Sequence, residues 1–89
     1  MKTITNINQQ ISKVCSAIAA LNATNTIVQM IMIASGKPVI RITKNSHCAQ
    51  LLEQGKASYI HIGQDDSGPY RQGVFYLYGC RIIWSESLH

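Results

Sequence analysis

Along this chain the spacing of apolar residues changes once, near residue 24, and that change decides what the chain can build. Between residues 6 and 23, Ile7, Ile11, Val14, Ile18 and Leu21 follow one another at intervals of 4, 3, 4 and 3. That is one stripe of a 3.6-residue helix. The opposite side, Gln9, Ser12, Lys13, Ser16 and Ala20, is polar or small, as a solvated side requires. Asn6 with Gln9 three residues on predicts a capping box at the start, and "NATN" at 22 to 25 supplies the exit.

From Thr26 the texture is β-branched. "TIVQMIMIA", a short "SGK" and "PVIRITKN" predict two strands joined in a hairpin. Pro38 opens the second run, where a strand tolerates proline. The first run is apolar on both sides apart from Gln29, which predicts a central position in the sheet. A buried helix through 24 to 34 stays open as the alternative. The second run alternates Ile40 and Ile42 inward against Val39, Arg41 and Thr43 outward.

"SHCAQLLEQG" predicts a short helix with Ser46 as cap, Gly55 as stop and Cys48, Leu51 and Leu52 toward the sheet. "ASYIHIGQ" predicts a third strand, with Ile60 and Ile62 on one face and Tyr59 and His61 on the other. "QDDSGPYRQG" reads as a polar loop longer than a tight turn needs, the kind of segment that often carries function. The chain then closes in a hairpin about Tyr78-Gly79. Val74 and Tyr76 oppose Phe75 and Leu77, and Cys80, Ile82 and Trp84 oppose Arg81 and Ile83. The expected fold is one compact α+β domain over residues 1–89, in the order α-β-β-α-β-β-β, with helices on one face of a mainly antiparallel sheet.

Eighty-nine residues allow one small core and no separate substrate domain. The net charge of +4 is uneven: residues 1–56 carry six cations against Glu53, whereas residues 57–89 carry Arg71 and Arg81 against Asp65, Asp66 and Glu86. Attraction to phosphate is therefore expected from the first half. Three widely spaced cysteines are not a secreted disulfide framework and fit a reducing compartment. Lys13 interrupts the apolar stretch that ends in "SAIAALNA", and "TNINQQ" is too polar for a leader. No run reaches the length of a membrane span. The expectation is a soluble cytoplasmic protein.

No constellation for catalysis emerges. Cys48 beside His47 at a helix start could hold a thiolate, but neighbouring side chains on a helix diverge and no orienting acid is identifiable, so Cys48 reads as core. Cys15, His47, Cys48, His61 and Cys80 include no pair spaced to give two metal ligands from one turn. Asp65 and Asp66 are consecutive and suit a turn better than a paired acid. "SGK" and "DSG" follow no phosphate-loop pattern. An enzyme, a metal site and a cofactor are all unsupported.

Binding remains, in two places. Five of the six aromatic residues lie between 70 and 87, and Tyr70, Arg71, Tyr78 and Arg81 there are the residue types enriched at protein interfaces. Lys37, Arg41, Lys44 and Lys56 form the alternative, a basic strip for a phosphate backbone, with Tyr59, Tyr76 or Trp84 to stack bases. The primary expectation is a small accessory or inhibitor protein that occupies the surface of a protein or nucleoprotein partner. At class level it is analogous to phage or mobile-element proteins that block host defence complexes. A homodimer stays open, and no membrane partner is expected.

Overall fold

The computed structural model describes residues 2–33 and 36–88, with side chains from Ile7 onward. The expected order of elements is present: α1 (Lys2–Ala23), β1 (Val28–Met32), β2 (Val39–Ile42), α2 (Ser46–Glu53), β3 (Ser58–Asp65), β4 (Gly68–Leu77) and β5 (Cys80–Ser87). The strands form one sheet in the order β1-β2-β5-β4-β3. β2 and β5 pair in parallel and the other neighbours are antiparallel.

Both helices lie on one face of this sheet. Val14, Ala17 and Leu21 of α1 and Cys48 and Leu51 of α2 share a single buried cluster with Ile40, Ile42, Phe75, Cys80, Ile82 and Trp84. Ile40 and Ile42 are inward as expected, and of the two opposed sets on the last hairpin it is the one with Phe75 and the one with Cys80, Ile82 and Trp84 that face the core. Trp84 is fully buried, and its ring lies across Gly73 on β4, its cross-strand partner, where an added Cβ would collide with the indole. Gly73 is thus the space into which the largest core side chain fits.

Several local expectations need correction. α1 begins at Lys2 rather than at Asn6, because the Ile4-to-Ile7 interval extends the apolar stripe backward by one turn. Its C-terminal end is closed as expected by the "NATN" residues: Asn25 takes a left-handed φ of 55°, and the Thr26 amide donates back to the Leu21 carbonyl. α2 is capped by Asn45, not Ser46; the Asn45 side chain accepts from the Cys48 amide and donates to Thr26 Oγ1.

Residues 28–32 are a strand, and the strand lies at the sheet edge rather than in its centre. Apolarity on both sides misplaced it, since Met30, Ile31 and Met32 are exposed. Tyr59 and His61 fall on opposite faces, because a bulge between them inserts Ile60 and resets the alternation.

The expected polar loop is a tight hairpin turn. Asp65 Oδ1 accepts from the Ser67 amide, Gly68 takes a φ of 114°, and pairing resumes at once between Asp65 and Gly68. Tyr70 and Arg71 are therefore strand residues of β4.

Candidate binding surface

The face of the sheet away from the helices has no element over it among the described residues, and strand register arranges its side chains in rows. Met32, Val39, Arg81 and Tyr76 form the first row, from β1 to β4. Met30, Arg41, Ile83, Val74 and Ser58 form the second. Ser85, Gln72 and His61 follow, then Ser87, Tyr70 and Gly63.

Charge on this face is concentrated in the first two rows. Lys37, just before β2, holds its Nζ 4.8 Å from the centre of the exposed Tyr76 ring. Arg41 Nη2 donates to Ser85 Oγ at 2.6 Å, which extends the guanidinium along the sheet. Arg81 lies between Val39 and Tyr76; its Nε is buried and has no hydrogen-bond partner among the described residues. These two rows contain two cations, Arg41 and Arg81, with Lys37 beside them over Tyr76, and no carboxylate. The acidic residue that reaches this side, Asp65, sits at the far end of the β3–β4 hairpin, where it closes the turn.

Tyr78 stands at the tip of the β4–β5 turn, beside the first row. Tyr78 and Gly79 both have positive φ, 50° and 78°, the geometry of the mirror-image two-residue turn that suits a twisted hairpin. Left-handed backbone is unfavourable for a tyrosine, and asparagine is the residue usually found there. At the opposite corner Tyr70 lies over Gly63, with its ring centre 6.0 Å from that of His61.

The other residues expected to bind are committed to the helical side. Glu86 follows Trp84 by two residues and so points to the same side, where its carboxylate is almost fully buried. Oε2 accepts from Trp84 Nε1 at 2.8 Å and from the Tyr59 hydroxyl at 2.6 Å. Oε1 faces Lys44 Nζ at 3.2 Å and Arg71 Nη2 at 3.2 Å. The Arg71 guanidinium also stacks on the Tyr59 ring at 3.9 Å. Burial pushes the Glu86 carboxyl up, but the bonds from Trp84, Tyr59, Lys44 and Arg71 outweigh it and hold the pKa at about 2. Burial raises the Tyr59 hydroxyl, and its bond to Glu86 raises it further.

The structure therefore divides both expected sets. Of Tyr70, Arg71, Tyr78 and Arg81, it brings Tyr70 and Arg81 to the open face and Tyr78 to its rim, while Arg71 belongs to the Glu86 network. Of Lys37, Arg41, Lys44 and Lys56, the first two join Arg81. Lys44 is held by Glu86, and Lys56 lines a cleft of about 310 Å3 between the helices and the end of β4, with His47, Leu51 and Phe75. Trp84 and Tyr59 are not free to stack on a base. Tyr76 is. Sequence reasoning missed Glu86 as an organising residue, although the Trp84-x-Glu86 spacing on a strand already placed a carboxylate beside the core.

Cys48 is buried at the start of α2, and burial raises its thiol above the usual range, which opposes a thiolate. Cys80 is likewise buried and raised by burial, and Cys15 is exposed on α1. Among the described residues no helix is long and apolar enough to cross a membrane.

The chain belongs to a family described as "Uncharacterised protein", whose model matches residues 1–87. No curated protein and no solved structure matches it.

Proposed function

We propose that this member of the family works by binding rather than by chemistry, as an accessory or inhibitor protein that lays the open face of its sheet on an acidic surface of a protein or nucleoprotein partner. The observation that carries this reading is the pair of rows that hold Arg41, Arg81 and Tyr76, with Lys37 over the Tyr76 ring and no carboxylate among them. A desolvated Arg81 Nε without an acceptor is costly in isolation, and an oxygen supplied by a partner would satisfy it. Arginine and tyrosine, here Arg81 and Tyr76 in one row with Met32 and Val39, are also the residue types that dominate interface energetics. Tyr78 supports the same reading, since an unfavourable backbone conformation kept at a rim fits a side chain retained for contact.

A phage or mobile-element protein that blocks a host defence complex in a reducing cytoplasm is the type of protein such a surface suits. A second reading, direct binding of nucleic acid, is favoured by one observation: Tyr76 is exposed and flanked by Lys37 and Arg81, so a base could stack where cations meet its phosphates.

The test is the joint change Lys37→Gln, Arg41→Gln and Arg81→Gln, followed by thermal melting and by capture from the native cell with protein and nucleic-acid detection. The variant should melt close to wild type, because these side chains lie outside the core, and should lose its partner. Full capture by a folded variant would refute the open-face reading.

A further inference from the structure

We infer that two copies of this chain associate through β1, edge to edge, and join their sheets into one continuous sheet. This does not depend on the open-face reading. β1 ends the strand order, so the outward backbone groups of Val28–Met32 have no strand beside them among the described residues. Natural edge strands are usually blunted by a lysine, a proline or an inward charge. This one is not. No charged residue occurs anywhere from Val14 to Gly36, and β1 together with Ile33 exposes Met30, Ile31, Met32 and Ile33, each more than 40% accessible. Its bulge falls between Val28 and Met30, which leaves the following residues in regular register.

The opposite edge is built differently. β3 is bulged near its start, at Ile60, much as β1 is, but it carries His61, Gly63 and Asp65 along the regular stretch that follows, and a charge on an edge strand discourages strand addition. α1 contributes to the same apolar zone as β1. Gln10 Nε2 donates to the Gly36 carbonyl at 2.7 Å, which brings α1 to the end of the β1–β2 hairpin, and Ile7 and Ile11 on either side of Gln10 are exposed.

Charge selects the occupant. The exposed edge residues Met30, Ile31, Met32 and Ile33 carry no charge and offer nothing to phosphate, to a lipid headgroup or to an acidic peptide. A copy of itself meets no like charge there. A two-fold axis perpendicular to the sheet pairs β1 with itself in antiparallel fashion. Centred on Ile31, it sets Met30 of each copy against Met32 of the other and Ile31 against Ile31, so the central cross-strand pairs are apolar, and Gln29 faces Ile33 with no charge on either side. The same axis leaves both open faces on one side, so the rows carrying Lys37, Arg41 and Arg81 would stand side by side in duplicate.

Sedimentation velocity on nuclease-treated protein from roughly 1 to 200 μM should show conversion to twice the monomer mass, with no loss of dimer as salt is raised, because the buried strip is uncharged. Ile31→Lys places two lysines face to face on the axis and should weaken the dimer roughly tenfold or more, whereas Ile62→Lys on the other edge should leave it intact. Hydrogen exchange on the wild type reads the same contact without a substitution: β1 amides should slow as concentration rises, and β3 amides should not. A monomer throughout the range, concentration-independent exchange in β1, or a dimer lost with Ile62→Lys and kept with a folded Ile31→Lys would each overturn the inference.

Discussion

Glu86 shows how one buried carboxylate can settle the fate of its neighbours. Four donors converge on its two oxygens, so Lys44 and Arg71, which look like free surface cations in the sequence, are drawn to the helical side. The carboxyl titrates near 2 in the fold and near the ordinary 4.5 when unfolded. A lowered folded pKa stabilises the protein above the unfolded value, and that contribution fades as pH falls from about 4.5 toward 2. The shift bounds the effect at roughly 3 kcal/mol. Glu86→Gln should therefore lower stability at pH 7 by about 2 kcal/mol and should flatten the acid limb of the profile. Denaturant titrations of both proteins between pH 7 and pH 2.5 decide this; parallel profiles would show that Glu86 is not the group lost in acid. Arg71→Ala should also cost stability, which a residue in a free polar loop would not.

At the scale of elements, the legible features were those written as periodicity or as a short-range turn signal. The 3.6-residue stripe marks α1, the two-residue alternation marks the inward face of β2 and the two opposed sets of β5, and Tyr78-Gly79 marks the last turn with Leu77 and Cys80 closing it. What stayed hidden depends on pairing. A bulge at Ile60 moves His61 to the other face without changing the composition of the run. An Asx contact from Asp65 turns six residues of loop-like sequence into strand. The same limit applies to β1, whose apolar sides read as burial until the strand order showed it at the edge. Tyr78 gives the element-scale prediction. Asparagine accepts left-handed backbone more readily than tyrosine, so Tyr78→Asn should hold or raise the melting temperature, by a degree or two, while weakening partner capture. A variant that melts like wild type and captures fully would make Tyr78 an ordinary turn residue.

At the scale of the whole molecule, net charge is a poor guide to what the protein attracts, because the fold sorts its charges by side. On the helical side Lys44 and Arg71 share the single carboxylate of Glu86, and Lys56 stands apart beside the cleft. The carboxylates Asp65 and Asp66 are at the β3–β4 turn. The open face keeps Lys37, Arg41 and Arg81 uncompensated in adjoining rows. Part of this is legible in the sequence, which offers Lys37 and Arg41 as members of a basic strip and Arg81 as an interface residue; their grouping is not, because it arises from the parallel pairing of β2 with β5, strands some forty residues apart. The grouping predicts a salt dependence. If three phosphates are engaged, the logarithm of the binding constant should fall with the logarithm of salt at a slope of about −2 for a single strand and about −3 for a duplex. Fluorescence anisotropy with a labelled oligonucleotide of each kind, at low and at physiological salt, measures it. Changing Lys37, Arg41 and Arg81 to Gln should bring the slope close to zero, while Lys56→Gln should leave it unchanged because that lysine lies on the other side of the sheet. A slope that responds to Lys56 rather than to the three open-face cations would move the nucleic-acid site to the helical side. Absence of binding to either strand at low salt would remove the nucleic-acid reading and leave an acidic protein surface as the partner for these rows.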